Sequence, residues 1–155
     1  MEIERKFLIK QLPVNLSDYS SHLIEQGYLC TQPVLRIRRQ DDSYIFTYKS
    51  KGMLAREEYN LPLTAESYQH LKAKVDGNLI SKRRYLIPLN EHLTVELDVF
   101  SGMLEGLMFA EVEFSSEEEA NAFIAPDWLG LDVTFDKRYH NSYLSTLQEN
   151  EIFWK

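Results

Sequence analysis

Cysteine is almost absent from this sequence, with Cys30 as the single example among 155 residues. One cysteine cannot form an internal disulfide, so the chain shows no adaptation to an oxidising compartment. Long apolar runs are also missing, because none reaches the ~18 residues that a membrane-spanning helix needs, and the charged first residues are unlike a signal peptide. We therefore expect a cytoplasmic protein without a membrane partner.

Positive charge is in short supply. The 17 lysines and arginines are outnumbered by 24 acidic residues, which gives a net charge of -7. This balance argues against a nucleic-acid partner held by bulk electrostatics and against an anionic membrane surface. The 4 histidines lack metal-ligand spacing, and neither a Walker loop nor a dinucleotide-binding fingerprint occurs. The functional signal must therefore lie in how the charges are arranged.

The first nine residues alternate in a way typical of a β-strand. Every second side chain of a strand shares a face, so Glu2, Glu4 and Lys6 point one way while Ile3 and Phe7 point the other. An edge strand with its charges in water would show the same pattern. Later segments repeat it with paired charges of one sign, in Arg36/Arg38, Lys82/Arg84, Glu96/Asp98 and Glu111/Glu113.

The remaining pattern predicts an α+β fold in one domain spanning residues 1–155. Period-two segments predict about eight strands, over residues 1–9, 28–31, 34–39, 44–50, 54–63, 79–89, 92–100 and 107–115. Capping residues and apolar spacing predict helices over 17–26, 64–75 and 116–125, and a helical tail after Asp136. Most connections are short enough for antiparallel neighbours. If the sheet closes into a barrel with its apolar residues outward under the helices, the charges fill the interior.

Opposite charges lining one interior would suit a particular class of ligand. Carboxylates bind divalent cations, and arginine and lysine bind phosphate oxygens. A polyphosphate with its metal ions requires both. Like-charged pairs are also tolerable on an open, solvated surface, so the pattern alone leaves both interpretations open.

The ordered series of charges resembles the CYTH domain of the triphosphate tunnel metalloenzymes. It begins with Glu2-x-Glu4-x-Lys6 and continues with Arg36-x-Arg38, Lys49, Arg56-x-Glu58, Lys82-x-Arg84, Glu96-x-Asp98, Glu111-x-Glu113 and Lys137. The resemblance covers nearly the whole chain. It implies an eight-stranded antiparallel closed β-barrel that forms a tunnel, with helices packed outside and triphosphates hydrolysed or cyclised inside in the presence of Mg²⁺ or Mn²⁺. One departure is Asn60, where many family members carry a second acid after the position of Glu58.

The resemblance, together with residue chemistry, suggests a role for each charge. The metal ligands are expected to be carboxylates, first Glu111 and Glu113, then Glu2, Glu4, Glu58, Glu96 and Asp98. Phosphate oxygens are expected to bind Lys6, Arg36, Arg38, Arg56, Lys82, Arg84 and Lys137. Taken alone, each of these side chains would be an ordinary solvated surface charge.

Tyr28 and Lys49 match, by resemblance to single-domain bacterial members, a tyrosine and a lysine that form a catalytic pair. A lysine near a phenol lowers the cost of the phenolate, so the pair could move a proton from an attacking water or to a leaving phosphate. The alternative is that Tyr28 anchors the hydrophobic core.

These assignments predict Mg²⁺- or Mn²⁺-dependent hydrolysis of the terminal phosphoanhydride of inorganic tripolyphosphate, with nucleoside triphosphates as further substrates, by a monomer or homodimer. Alternatives are a class IV type adenylate cyclase, a thiamine triphosphatase and a non-catalytic module that binds polyphosphate or nucleotides. No purine-binding signature supports the cyclase, and nothing outside the charged rows argues for an organic group.

Overall fold

Strands dominate the structure, a computed structural model that describes residues 1–154. The strands within that range are β1 Glu2–Ile9, β2 Ser21–Thr31, β3 Val34–Gln40, β4 Ser43–Lys49, β5 Ala55–Arg56, β6 Glu58–Pro62, β7 Asp76–Pro88, β8 Thr94–Ser101, β9 Met108–Glu113 and β10 Leu129–Asp132. The α-helices there are α1 Ala65–Lys72, α2 Glu117–Ala122 and α3 Asn141–Leu144. Short 3₁₀ turns lie at Leu16–Asp18, Gly102–Leu104, Lys137–Tyr139 and Glu149–Glu151.

The sheet is antiparallel and returns almost to its own start. Its neighbours follow the order β10-β1-β9-β8-β7-β2-β3-β4-β6, and β5 pairs with β1. Because only Glu57 separates β5 from β6, residues 55–62 connect β4 on one side, through the Lys49–Glu58 register, to β1 on the other, through Glu2–Arg56. With β5 and β6 taken as one interrupted strand and β10 left out, the ring has the eight strands that were predicted. The antiparallel barrel is thus confirmed as a nearly closed one, to which β10 adds a further short strand.

The outer face of the barrel is apolar near β1 and carries α2. Ile3 and Phe7 are buried there, in the opposite phase to the charged side chains of the same strand. Arg5 lies in this phase too, and its Nη1 donates to the carbonyl oxygens of Ala120 and Phe123 at 2.8 and 3.0 Å. The alternation read from the sequence therefore places the charges of β1 on the inner face.

Helix α1 covers the outside of β3 and β4. Thr64 caps it as predicted, because its side chain accepts a hydrogen bond from the backbone N–H of Ser67 at 3.0 Å. Tyr68 is fully buried beneath the helix, with its ring 5.1 Å from that of Tyr44. The helix thus seals the apolar side of these strands.

One end of the barrel interior is apolar rather than charged. Phe100 and Phe109 continue the inner rows of β8 and β9, with their rings 5.1 Å apart. The C-terminal segment packs against them through Tyr139, Leu144 and Leu147, all buried in the same cluster. The charged cavity is therefore confined to the remaining part of the interior.

The predicted helix over residues 17–26 is wrong. The chain makes only a 3₁₀ turn at Leu16–Asp18 and then enters β2. Leu23 is 55% exposed while Ile24 is 1% exposed, which is the alternation of a strand. The apolar spacing fitted a helix, but β2 pairs with β3 on one side and β7 on the other, and these two ladders outweigh local helix preference.

Other differences concern the bounds of elements. The predicted strand over 54–63 is interrupted at Glu57, and the strand predicted from residue 79 already begins at Asp76, as β7. The helix predicted to end near residue 75 stops at Lys72, and the tail forms the short α3 and the 3₁₀ turns Lys137–Tyr139 and Glu149–Glu151 instead of one continuous helix. β10 was not predicted, because four residues are too few for a period to show.

Candidate active site

A cavity of about 210 Å³ occupies the charged part of the interior. Its wall contains most of the side chains singled out from the sequence, namely Glu2, Glu4, Lys6, Tyr28, Arg36, Arg38, Lys49, Arg56, Glu58, Arg84, Glu96, Glu111 and Glu113. Lys82, Asp98 and Lys137 do not line it. The cavity divides into a basic wall on β3 and an acidic wall on β1 and β9.

The basic wall has no counter-charge of its own. Among residues 1–154, no carboxylate oxygen lies within 4.0 Å of the guanidinium nitrogens of Arg36 or Arg38. Arg36 Nη2 donates to Thr47 Oγ1 at 3.1 Å, but Arg36 Nε is buried without a partner. Burial and the nearby charges of Arg36 and Arg84 lower the pKa of Arg38 to about 9. This wall is a place where added negative charge is strongly favoured.

Gln26 holds the basic wall in place and was missed in the sequence. Its side chain is fully buried, and its Oε1 accepts from Arg38 Nε and Nη2 at 2.9 and 2.7 Å. Its Nε2 donates to Tyr28 Oη at 3.2 Å. Gln26 escaped notice because it was placed in the wrong helix; as part of a strand, its position two residues before Tyr28 would have shown it on the inner face.

The acidic wall has the opposite imbalance. Glu4 faces Glu113 and Lys6 faces Glu111 in the β1–β9 ladder. Burial, followed by the charges of Glu111 and Glu2, raises the pKa of Glu4 well above its usual value. Burial and the two neighbouring carboxylates thus favour the protonated form of Glu4, which is the form that a buried acid without a cation partner prefers.

The pKa values of Glu111 and Glu113 shift in opposite directions, although both residues lie on β9. Burial opposes ionisation of Glu111, but Lys6 and Arg84 outweigh it and hold the pKa of Glu111 well below its usual value. Burial and the neighbouring carboxylate of Glu2 raise the pKa of Glu113. The bases near this wall therefore compensate the charge of Glu111 but not that of Glu113.

Lys82 and Asp98 lie behind the cavity wall in a balanced ion network. Both are fully buried, with Lys82 Nζ 2.7 Å from Asp98 Oδ2. Arg84 donates to both oxygens of Asp98 at 2.8 and 2.9 Å and to Glu96 Oε2 at 3.2 Å. Lys82 also donates to Asn141 Oδ1 at 3.1 Å, which ties α3 to the barrel. In this arrangement neither Lys82 nor Asp98 reaches the cavity, so their predicted ligand roles lack direct access.

Tyr28 and Lys49 both line the cavity but do not contact each other. Lys49 Nζ donates to Glu2 Oε2 at 2.8 Å and lies 3.3 Å from Glu58 Oε2, and Arg56 Nε also donates to Glu2, at 3.2 Å. Tyr28 Oη instead meets Gln26. The expected pair is therefore not assembled in this structure, and the two side chains are held by different partners.

The Asn60 side chain accepts one hydrogen bond and donates another, which an ionised acid at this position could not do. Its Oδ1 accepts from Thr47 Oγ1 at 2.6 Å while its Nδ2 donates to Glu58 Oε1 at 3.1 Å. Because Thr47 also accepts from Arg36, the amide links the basic wall to an acid. A carboxylate at this position would repel Glu58 unless it were protonated.

The acidic wall matches a metal ion in its donor atoms rather than in a preformed set of ligands. Residues 1–154 contain no preformed set of three or more His, Cys, Asp or Glu ligands. Mg²⁺ does not require such a set, because one or two carboxylates, substrate phosphates and water usually hold it. Glu4 and Glu111 provide two carboxylates on neighbouring strands that both line the cavity. The donor chemistry therefore fits a hard divalent cation.

The fold and the interior define a class of protein, a small antiparallel barrel whose charges face inward. In the part of the chain that is described, no helix is long and apolar enough to cross a membrane. The family model for the CYTH domain matches residues 1–138. The chain therefore belongs to the CYTH domain family, as its ordered charges indicated.

Relatives of known identity agree with this placement. The chain is 43% identical to an inorganic triphosphatase of Nitrosomonas europaea, over 93% of this chain and 96% of the relative. It is 36% identical to an inorganic triphosphatase of Acetivibrio thermocellus, over 92% of each. A crystal structure of an inorganic triphosphatase aligns with a TM-score of 0.70 at 39% identity and covers 96% of both chains.

Proposed function

We propose that this protein is an inorganic triphosphatase, which hydrolyses the terminal phosphoanhydride of tripolyphosphate to orthophosphate and pyrophosphate. The observation that carries the proposal is the basic wall, where Arg36 is buried and Arg38 half-buried in the barrel, and neither has a carboxylate partner among residues 1–154. A linear triphosphate supplies several negative charges to one narrow cavity. The two relatives that are named inorganic triphosphatases support the same reaction.

The basic wall would bind the phosphate chain. Arg36 lines the cavity, and its Nη1 makes no hydrogen bond within residues 1–154, so a phosphate oxygen would find a donor there. Arg38 is pre-oriented by its forked contact with Gln26, which leaves Nη1 for the ligand. Preorganised donors of this kind stabilise charge that develops on phosphate oxygens in the transition state.

The acidic wall would hold the cation. Glu4 and Glu111 would be its ligands, with Glu113 and Glu2 beside them. When bound, Mg²⁺ or Mn²⁺ would neutralise phosphate charge and polarise the phosphoanhydride. The protein contributes the placement of these carboxylates opposite the arginines, so that a substrate between the walls meets both kinds of partner.

Tyr28 Oη is the group proposed to donate a proton to the leaving phosphate oxygen. Because Oη accepts a hydrogen bond from Gln26 Nε2, its own proton is free to point into the cavity. Lys49 would reach the substrate by exchanging its contacts with Glu2 and Glu58 for phosphate oxygens.

A phosphate-release assay tests this function with tripolyphosphate, ATP and pyrophosphate as separate substrates. We expect tripolyphosphate to be hydrolysed faster than ATP, because the cavity addresses phosphates and no feature addresses a base, and pyrophosphate to be poor. Activity should require added Mg²⁺ or Mn²⁺, and Ca²⁺, with its looser coordination geometry, should inhibit. Cyclic AMP as the main product from ATP would identify a cyclase instead, and binding without turnover of any triphosphate would identify a sensor.

A further inference from the structure

A second cavity of about 390 Å³ adjoins the first. It lies between the turn that joins β2 to β3, the loop that joins β4 to β5, and the segment around α3. The two cavities share four wall residues, which form the boundary between them, namely Val34, Arg56, His140 and Ser142. A ligand that fills the first cavity could extend past this boundary into the second.

The charge of the second cavity is unlike that of the first. Lys51, Arg56 and Lys137 line it together with His140, and its lining within residues 1–154 includes no Asp or Glu. The first cavity is lined by six glutamates as well as by bases. Because the chain as a whole carries a net charge of -7, a cavity with cations alone is a local exception. Such a cavity favours an anion that brings no metal ion with it.

The cations of the second cavity are available to a ligand. Within the described residues, neither Lys51 nor Lys137 has a carboxylate within 4.0 Å. Arg56 uses Nε for Glu2 and makes no other side-chain hydrogen bond there, which leaves its Nη groups free. The loop carrying Lys51 is held by Gly52, whose φ of 128° and a Cβ position only 2.6 Å from Ala55 O exclude other side chains.

We propose that this second cavity is a phosphate subsite, which takes the fourth phosphate of a linear polyphosphate whose first three phosphates occupy the main cavity. The inference rests on the proposed triphosphatase function and extends its substrate class to chains longer than tripolyphosphate. It also gives Lys137 a phosphate-binding place, although that residue does not reach the main cavity. Arg56 would contact the chain at the passage between the two sites.

The test compares Lys51→Glu with Lys74→Glu, which makes the same change in net charge at an exposed position that lines neither cavity. Lys51→Glu should lower kcat/KM for tetrapolyphosphate by about tenfold, as expected for replacing a phosphate contact by repulsion, with little effect on tripolyphosphate. Lys74→Glu should treat the two substrates alike. An equal loss on both substrates, or no loss on tetrapolyphosphate, overturns the subsite.

Calorimetry with chelator present, which needs no turnover, separates failure of the subsite from failure of the proposed function. The unmodified protein should bind tetrapolyphosphate, and Lys51→Glu should weaken that binding more than Lys74→Glu does. This result would stand even if tripolyphosphate were not hydrolysed, in which case only the proposed function fails. Orthophosphate serves as the second ligand: if Lys51→Glu abolishes orthophosphate binding but leaves tetrapolyphosphate binding unchanged, the cavity binds free phosphate and the chain subsite is wrong. Undetectable binding of tetrapolyphosphate to the unmodified protein also overturns it.

Discussion

Arg36 and Arg84 are two arginines of nearly equal burial inside the same barrel, 7% and 8% exposed, yet their surroundings are opposite. Arg84 donates to both carboxylate oxygens of Asp98 and also forms an ion pair with Glu96. Arg36 has no carboxylate partner within residues 1–154, and its Nε has no partner at all. Burying a charge without compensation costs several kcal/mol. Arg84, although it lines the cavity, is therefore compensated within the fold, whereas the counter-charge of Arg36 is left for a ligand to supply.

The carboxylates show the same contrast. Burial opposes ionisation of Glu2, but Lys49, Glu58 and Arg56 outweigh it and lower its pKa to about 2. Glu4, two residues along the same face, has a pKa raised well above its usual value, because burial and two other carboxylates dominate. On one strand, Glu2 is thus compensated by neighbouring cations while Glu4 is not. The charges without a compensating partner mark the proposed site.

The largest effect is expected at Glu111, which lies between the ion pairs of Arg84 and the uncompensated carboxyl of Glu4. Glu111 Oε1 lies 3.5 Å from Arg84 Nη2, and the charge of Glu111 helps to raise the pKa of Glu4. Glu111→Gln keeps the shape and removes the charge that would anchor the cation, so activity should fall at least ~100-fold. Phosphate release at saturating Mg²⁺ measures it, with exposed Glu91→Gln as the control. Activity close to that of the control would show that Glu111 is part of the scaffold only.

Tyr28→Phe should lower kcat by roughly 10²-fold with little change in KM, because help with proton transfer is felt in the transition state. Tyr28 and Lys49 have separate partners in this structure. The double variant Tyr28→Phe, Lys49→Ala therefore distinguishes a pair that forms when substrate binds from two residues that act independently. Loss much smaller than the product of the single effects means that the pair assembles on the substrate. Full activity of Tyr28→Phe would make Tyr28 a packing residue.

Gln26→Glu would give Arg38 the carboxylate partner that it lacks within residues 1–154. The new carboxylate would pair with Arg38, so the free energy of unfolding should rise by about 1–2 kcal/mol, while KM for tripolyphosphate should rise about tenfold. Denaturant unfolding and steady-state kinetics measure the two quantities. Gln26→Met, which leaves Arg38 without a partner, should lower stability instead. A stability gain without a rise in KM would remove Arg38 from the substrate contacts.

The smallest effect concerns Glu2, on the balanced side. Its folded pKa of about 2 lies below the ordinary value of 4.5, so its ionised form stabilises the fold above pH 4.5 and this contribution is lost as the pH falls from 4.5 toward 2. Glu2→Gln should therefore lower Tm at pH 7, and the deficit should shrink below pH 4.5. A deficit that is constant from pH 7 to pH 3 would show that charge is not its cause.

Much of the fold could be predicted because charge and apolar residues alternate so regularly along β1, β3, β8 and β9. The alternation assigns each side chain to a face without any knowledge of the neighbouring strand. The helix prediction for residues 17–26 was wrong because Leu16, Tyr19, Leu23 and Ile24 have a spacing that a helix also satisfies. Only the ladders with β3 and β7, which join residues distant in the sequence, decide the matter.

The sequence allowed the inner position of the charges to be predicted, but not which acid pairs with which base. Lys82-x-Arg84 and Arg36-x-Arg38 are equivalent as sequence patterns, yet Lys82 is fully buried against Asp98 while Arg36 faces no acid. Which acid meets which base depends on strand order around the ring, which places β8 beside β7 and no acidic strand beside β3. Strand order is a long-range property that periodicity does not contain.

The most direct measurement is the affinity for tripolyphosphate and the free energy of unfolding of two matched variants, Arg36→Gln and Arg84→Gln. Arg36→Gln should weaken tripolyphosphate binding by about tenfold or more, as for loss of a charged hydrogen bond, with no loss of stability. Arg84→Gln should lower stability by about 3 kcal/mol, because it breaks a buried ion pair. If Arg36→Gln destabilises the fold and leaves tripolyphosphate affinity unchanged, unpaired arginines do not mark the substrate site and the account is contradicted.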